Sequence, residues 1–365
     1  MKDCTAMACG LTIGLDLGDK YSTLHVLSSE GELQEEGRVR TTQETLKARF
    51  SSFPASRVAI EVGTHSPWVS RLLKDCGHEV LVANPRRLRL IYENDRKDDK
   101  VDAQYLARVA RLDPKLLAPI EHRRLETQKH LTMIRVRDAL VRTRSKLINV
   151  VRCSVKSVGG RLRGANPDNF HRKVLDDLPE EVRKELSPVI DAIQCLNTKI
   201  AECNKMVEEV SELKYPETLR LRQPKGVGPL TALAFVLILE DPRRFKKSRD
   251  VGAYLGLVPR KNQSGDQDPQ LGITKAGDTL LRRLLVNCAQ YIMGPFGEAS
   301  DLRSHGEKIA AHGGKNAKKR AVVAVARKLS VVLHRLWLSG EDYEPLRNTR
   351  KRQTRLKGKM VTSRK

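Results

Sequence analysis

The sequence has few aromatic residues, no closely paired cysteines and no long apolar segment. Phe, Trp and Tyr make up 4% of its 365 residues, too few for a wide surface that stacks the bases of a single strand. The seven cysteines are scattered and form no Cys-x-x-Cys pair, which argues against a disulfide framework or a zinc site. The longest apolar run, residues 230–239, is too short to span a bilayer. We therefore expect a cytoplasmic protein of bacterial or archaeal type, with no secretion signal and no membrane partner.

Acidic residues are also few relative to basic ones. Lys and Arg number 68 against 44 Asp and Glu, giving a formal net charge of +24. Such an excess favours a polyanionic partner, most commonly nucleic acid. The length indicates two or three domains.

The acids of the N-terminal third occupy unusual positions. Asp16 lies in the apolar strand 11–18, and Glu61 lies in a second apolar strand, 58–63. A carboxylate in a buried strand is unfavourable unless it is paired or binds a metal. Asp99 and Asp102 are three residues apart on a predicted helix, so their like charges lie on one face. A cation between them would remove the repulsion, although an acidic helix start is the simpler alternative.

The N-terminal region, residues 8–117, is predicted to be α/β. Its element order, β-β-β-α-β-α-β-α, is that of a ribonuclease-H-like (RuvC-like) fold with a mixed sheet and helices on both faces. In that fold, strand carboxylates and a late-helix carboxylate converge on a divalent-metal site. Oxygen ligands suit Mg²⁺ or Mn²⁺, and two such ions can clamp both oxygens of a phosphodiester displacement. The candidate metal ligands are Asp16, Glu61, Asp99 and Asp102.

A rival interpretation concerns the same glycine-flanked strand. Residues 14–18 also resemble the first phosphate loop of the actin, sugar-kinase and chaperone ATPases. That superfamily needs a second Asp-x-Gly loop in a duplicated half, for which the sequence offers no convincing copy. A charge of +24 also does not suit an enzyme that binds only a nucleotide.

The middle region, residues 118–215, is predicted to be a helical, coiled-coil connector. Apolar residues from Val189 to Val210 follow a heptad spacing, and Ile134, Val141 and Ile148 recur every seven residues. The two helices pack either as an antiparallel hairpin or between protomers. Arginines including Arg142 and Arg144 indicate a surface for phosphate, with a merely solvated face as the alternative.

The C-terminal region, residues 216–342, is predicted to be mostly helical. Gly226 and Gly228 lie between two prolines and suggest a helix-hairpin-helix element whose backbone N–H groups face phosphate, or else a simple turn. Ser264 lies in a polar loop and is either a turn residue or a nucleophile, although no base is evident. The cations that would neutralise phosphate here are Arg260, Lys261, Lys275, Arg282 and Arg283. Residues 343–365 are expected to form a basic, disordered tail.

Together the two halves resemble the bridge-RNA-guided insertion-sequence transposases (insertion-sequence family one-hundred-ten) and the related pilin-gene invertases. The resemblance covers residues 10–340. The matching motifs are Gly14-Leu15-Asp16-Leu17-Gly18, Ile60-Glu61-Val62-Gly63, Lys97-Asp98-Asp99-Lys100-Val101-Asp102-Ala103, Gly226-Val227-Gly228-Pro229, Gly256-Leu257-Val258-Pro259-Arg260, Ser264-Gly265 and Ile273-Thr274-Lys275-Ala276-Gly277. Asp98 and Val62 depart from the usual pattern without removing a functional group.

The resemblance implies a DNA transposase and site-specific recombinase with a DEDD RuvC-like domain and a serine-bearing transposase domain. The four acids would hold Mg²⁺, and Ser264 would form a covalent phosphoserine link with double-stranded donor and target DNA. A non-coding guide (bridge) RNA would carry the sequence information. Dimers would assemble to a tetramer in which different protomers supply the two domains. The alternatives are a metal-dependent RuvC-type nuclease or Holliday-junction resolvase without a covalent intermediate, and a non-enzymatic nucleic-acid-binding protein.

Overall fold

The chain divides into two units at residues 124 and 125. The computed structural model describes residues 10–84, 99–263 and 271–349. Each unit has its own buried apolar core. The predicted basic tail lies largely outside the described residues, as do Lys97 and Asp98 of the third motif.

The N-terminal unit is built on a five-stranded mixed sheet with the strand order β3-β2-β1-β4-β5. β1 pairs antiparallel with β2, which pairs antiparallel with β3, whereas β4 runs parallel to both β1 and β5. The strands are β1 Thr12–Asp16, β2 Tyr21–Leu27, β3 Leu33–Arg40, β4 Arg57–Glu61 and β5 Glu79–Ala83. The helices are α1 Gln43–Ser51, α2 Ser66–Asp75 and α3 Asp99–Leu112, followed by a 3₁₀ turn at Pro114–Leu117. The predicted element order and mixed sheet are confirmed.

Helix α3 packs directly on the centre of this sheet. β1 and β4 are continuous apolar strands, as expected for strands covered on both faces, and Ile13 and Ile60 are fully buried. At Gly14 the helix comes so close that a Cβ atom would collide with the carbonyl oxygen of Ala103. Only glycine allows this approach. The contact brings the first turn of α3 close to the end of β1.

The C-terminal unit begins with two long helices that pack against each other. They are α4, Leu125–Ser157, and α6, Glu180–Lys214, joined through the short helix α5, Phe170–Lys173, and a 3₁₀ turn at Leu175–Asp177. The Lys214 ammonium donates to Glu126 at 2.7 Å, and Arg137 Nε donates to Asn204 at 2.8 Å. The start of one helix therefore meets the end of the other, so the pair is an antiparallel hairpin within the chain. A regular coiled-coil geometry stays a prediction.

The remaining helices surround one deeply buried segment. These are α7 Glu217–Leu221, α8 Pro229–Leu239, α9 Ser248–Tyr254, α10 Thr279–Met293, α11 Asp301–Ala311 and α12 Ala317–Ser339, with a 3₁₀ turn at Pro242–Arg244. Every residue of α8 from Thr231 to Leu239 is buried. α4 and α6 pack against α8, and the division near residue 215 into connector and C-terminal domain stays a prediction. In the described part of the chain no helix combines the length and hydropathy needed to cross a membrane.

The chain after α12 folds back over the start of α11. The Asp301 N–H donates to the carbonyl of Pro345 at 2.7 Å, and the Asp301 carboxylate accepts the N–H of Asn348 at 2.7 Å and the Thr349 hydroxyl at 2.7 Å. These bonds lower the pKa of Asp301, although its partial burial acts in the opposite direction. The described part of the chain thus ends tied to the helical core.

Candidate functional site

The four predicted acids are carried by three elements of the N-terminal unit. Asp16 is the last residue of β1, and Glu61 is the last residue of the neighbouring parallel strand β4. Leu15 pairs with Ile60 in the register of these strands, so the two carboxylates leave the sheet at the same edge. Asp99 and Asp102 lie in the first turn of α3, which packs on both strands.

Asp16 is electrostatically coupled to the other three acids. The pKa of Asp16 is raised from 3.8 to about 6, mainly because burial disfavours the charged form and then because Asp99, Asp102 and Glu61 repel it. The backbone N–H of Leu17 acts in the opposite direction. Asp16 therefore lies in a region of concentrated negative potential, which stabilises a bound cation.

The donor chemistry of this acid cluster suits a hard divalent cation. All four side chains offer carboxylate oxygens, the ligands that Mg²⁺ and Mn²⁺ prefer. Among the described residues, however, no group of three or more His, Cys, Asp or Glu side chains is arranged to hold a metal ion. The four acids are electrostatically coupled, and their role as metal ligands stays a prediction.

A histidine that the sequence analysis did not single out lies in the loop after Glu61. His65 Nε2 is 3.5 Å from the carboxylate of Asp19, which follows Asp16 in the loop after β1. The indole N–H of Trp68 donates to His65 Nδ1 at 3.1 Å, so Nε2 carries the proton that faces Asp19. The signal that could have revealed this pair is its spacing: each residue follows an acid of the cluster by three or four positions.

In the C-terminal unit, Ser264 lies outside the described residues. The two segments that flank its loop pair with each other through Thr274 N–H to the carbonyl of Val258, at 2.9 Å, and Arg260 N–H to the carbonyl of Gly272, at 3.0 Å. Arg260 and two of the predicted lysines, Lys261 and Lys275, are exposed on these flanks. The structure therefore groups three of the predicted phosphate-neutralising cations beside the loop that contains Ser264.

Two of the predicted phosphate contacts are instead largely buried and hydrogen-bonded to other parts of the protein. Arg282 is 9% exposed and donates to the carbonyls of Leu255 and Gly277, at 3.0 and 3.2 Å. Arg144 is 8% exposed, and its guanidinium binds Asp168 at 2.5 Å. Both side chains hold loops onto helices, and little of either guanidinium group is open to solvent.

Arg142 and Arg283 meet at one carboxylate. Both guanidinium groups bind Asp138, which is itself buried, but both side chains remain partly exposed. This arrangement neutralises one acid with two cations. A net positive charge is thus left at the surface of α4 and α10.

The two glycines of the predicted hairpin lie between α7 and α8. Gly226 has φ of +91°, and a Cβ there would come within 2.8 Å of the Tyr291 ring. Gly228 immediately precedes Pro229 at the start of α8, and nothing lies within 4 Å of where its Cβ would stand. The space beside the Gly228 Cα is therefore open, whereas the helix-hairpin-helix assignment stays a prediction.

Comparisons with known proteins agree with this organisation. A family model described as a DEDD transposase of the IS110 type matches residues 13–158, which include all four acids. A second model, described as Transposase IS116/IS110/IS902 family, matches residues 219–302, which include the hairpin glycines and the Ser264 loop.

Curated relatives match over most of their length. The transposase for insertion sequence element IS1328 of Yersinia enterocolitica is 32% identical over 291 residues, covering 77% of this chain and 83% of the relative. The transposase for insertion sequence element IS1111A of Coxiella burnetii is 28% identical over 327 residues, covering 85% and 86%. A probable family 20 transposase of Pseudomonas aeruginosa is 28% identical over 300 residues, covering 80% and 87%. The chain therefore belongs to the IS116/IS110/IS902 family of transposases, enzymes that cleave DNA and transfer its strands.

Proposed function

We propose that this transposase is an RNA-guided recombinase that exchanges DNA strands through Ser264, assisted by Mg²⁺ or Mn²⁺ at the acid cluster. The observation that carries the proposal is the placement of the four acids: Asp16 and Glu61 end two adjacent parallel strands, and Asp99 and Asp102 lie in the first turn of α3, which packs on both strands. Acids placed together in this way are typical of sites whose function requires a cation.

The N-terminal unit would hold the ion through Asp16, Glu61, Asp99 and Asp102. When bound, a divalent cation supplies charge neutralisation at a phosphodiester. The protein's own contribution is positional, because the ends of β1 and β4 and the first turn of α3 fix the carboxylates on a buried framework. An RNase-H-like (RuvC-like) fold for this unit is supported by the strand order β3-β2-β1-β4-β5.

Ser264 would supply the nucleophile. Its hydroxyl oxygen forms a bond to phosphorus, the bond from phosphorus to the departing deoxyribose oxygen breaks, and the serine proton ends on that oxygen, which leaves as a hydroxyl group. A hydroxyl of the exchanged strand then reverses the reaction on the phosphoserine ester. The exposed cations Arg260, Lys261 and Lys275 support this assignment, because they can neutralise the phosphate at the same loop.

A non-coding guide RNA and a dimer-to-tetramer assembly complete the proposal. Support for RNA guidance comes from composition: a charge of +24 with only 4% aromatic residues suits contact with nucleic-acid backbones more than direct stacking on bases. The N-terminal acids of one protomer would then act with the serine of another.

The serine mechanism is tested by comparing Ser264→Ala with Asp99→Asn in the full chain. Purified protein is incubated with donor and target DNA, the RNA transcribed from the flank of the gene, and Mg²⁺. Covalent protein–DNA adducts are measured on denaturing gels. We expect Ser264→Ala to abolish the adducts while nucleic-acid binding persists, and Ser157→Ala, an exposed serine of α4, to behave as wild type.

The alternative of a metal-only nuclease or junction resolvase gives a different pattern. In that case Ser264→Ala cleaves at the wild-type rate, the cut ends carry no protein, and only Asp99→Asn is inactive. Omitting the RNA tests the guide separately. Recombination that continues unchanged without it would contradict RNA guidance and leave the serine mechanism standing.

A further inference from the structure

The hairpin formed by α11 and α12 contains a long stretch without acids. Between Glu307 and Glu341 the sequence has no Asp or Glu. The same stretch contains the cations Lys308, Lys315, Lys318, Lys319, Arg320, Arg327, Lys328 and Arg335. The nearest acid of α11, Glu307, is already bound to Arg303, so the connection between the two helices has no carboxylate of its own.

Five of these cations cluster where the two helices meet. We call this cluster the basic turn; it comprises Lys308, Lys315, Lys318, Lys319 and Arg320, all exposed. Arg320 bends back over the connection and donates to the carbonyl of Gly313 at 3.1 Å. The field of the hairpin also reaches His305, whose pKa is lowered first by burial and then by Lys328 and Lys308.

Three lysines of the basic turn lack the carboxylate partner that two lysines of α6 have. In the part of the chain that the structure describes, Lys315, Lys318 and Lys319 form no ion pair, whereas Lys199 of α6 binds Glu202 at 2.9 Å and Lys214 binds Glu126 at 2.7 Å. The first turn of α12 holds no acid, so its cations are also repelled by the positive end of the helix dipole. A bound anion would supply the missing ion-pair partner and would also offset the repulsion by the helix dipole.

The framework beneath the basic turn is well packed. Ala317, Ala321 and Val325 of α12 are buried, and Gly306 of α11 lies against Val325 so closely that a Cβ there would come within 2.7 Å of it. The charges are therefore presented by a fixed helical hairpin. Such a surface is pre-organised, which lowers the entropy lost on binding.

We propose that the basic turn binds the phosphate backbone of double-stranded DNA, through residues other than the cations that flank the Ser264 loop. Duplex DNA carries about one negative charge per 1.7 Å of its axis, a density that matches a compact, fixed group of cations. Residues 303–336 contain no Phe, Trp or Tyr, so the basic turn offers no aromatic platform for unpaired bases. The proposal depends on neither the serine mechanism nor the guide RNA.

The test neutralises three of the lysines in the full chain, as K315Q/K318Q/K319Q. The matched control, K199Q/K205Q/K214Q, removes the same charge from three exposed lysines of α6. Binding to a fluorescent 40-base-pair DNA duplex of mixed sequence is measured by anisotropy in EDTA, where no strand is cut, over a range of salt concentrations. Each lost phosphate contact should lower the slope of log K against log salt by about 0.9.

We expect the basic-turn variant to lose two to three contacts, with roughly 10- to 100-fold weaker binding at low salt, and the control to change far less. The charge-preserving K315R/K318R/K319R should bind as wild type, which separates lost contacts from misfolding. Equal slopes for the two glutamine variants would overturn the proposal. So would a variant that still binds the DNA duplex normally but loses binding to an RNA duplex of the same sequence.

Discussion

Replacing Asp16 by Asn should stabilise the N-terminal unit at alkaline pH in the absence of divalent cations. Folding raises the pKa of Asp16 from 3.8 to about 6. Well below pH 3.8 the Asp16 carboxyl is protonated in both the folded and the unfolded chain, so it carries no charge for the other acids to repel. As the pH rises through 6 the folded chain must carry an unfavourable charge, and stability is lost.

The magnitude follows from the size of the shift. A change of about two pKa units corresponds to at most about 3 kcal/mol, but Asp16 is only partly buried, so solvent screening reduces the effect to about 1 kcal/mol. Because Asn cannot ionise, the free energy of unfolding of Asp16→Asn relative to wild type should be about 1 kcal/mol higher at pH 8 than at pH 4.

Trp68 makes the measurement specific to this unit. The chain has two tryptophans, and Trp68 packs against the core of the sheet. With Trp337 replaced by Phe in every variant, the urea-induced fluorescence change of Trp68 reports the N-terminal unit in EDTA. Asp75→Asn, an exposed acid at the end of α2, is the control.

Adding Mg²⁺ at pH 8 should then make wild type more stable than Asp16→Asn. Wild type gains stability by binding the ion, whereas Asp16→Asn gains less because it lacks one of the proposed ligands. If Asp16→Asn shows the same stability difference at pH 4 and pH 8, or if Asp75→Asn behaves identically, the argument for coupled acids fails.

Three further outcomes are expected. Gly14→Ala should destabilise the chain by about 1–3 kcal/mol and impair strand cleavage, since the added methyl group collides with the backbone of Ala103. Gly37→Ala should have neither effect in the same urea and cleavage assays, because no atom lies closer than 3.8 Å to its added methyl group. Arg282→Ala should lower the melting temperature by removing bonds to buried carbonyls without changing the salt slope of DNA binding; a reduced slope would place Arg282 on phosphate after all. His334 is buried, and that burial lowers its pKa, so its contribution to stability should be present above pH 6.5 and diminish as the pH falls. In urea unfolding, His334→Gln should therefore lose less free energy of unfolding at pH 5 than at pH 7.5. An equal loss at the two pH values would contradict this.

The sequence was sufficient to predict the acid-bearing half of the fold. A single carboxylate within an apolar run marked the strands of Asp16 and Glu61, and the gap-free pattern after Asp99 marked α3. What it could not supply was the close contact at Gly14, because a glycine beside a strand acid is equally compatible with a phosphate loop. That contact, visible only in three dimensions, orients α3 toward the end of β1.

Two arginines of α4 show more clearly what could not be predicted from the sequence. Arg142 and Arg144 are two positions apart on α4, and composition treats them alike. In the fold Arg144 is enclosed by a loop acid while Arg142 remains half exposed. Which guanidinium is enclosed depends on where the segment after the helix returns, and that requires tertiary information. Similarly, α6 begins at Glu180 and continues through Pro188, although the apolar seam alone starts only at Val189.

The order of the two units along the chain has a consequence for synthesis. All four acids lie within the first 102 residues, so the acid cluster can assemble once the N-terminal unit has left the ribosome. At about 5–20 residues per second, translating the second unit takes roughly 12–48 s more. In the first part of that interval the nascent chain carries the acids, but Ser264 and the basic turn have not yet been made. Under the proposed mechanism, a ribosome-bound N-terminal unit is catalytically incomplete until a chain containing Ser264 has been made.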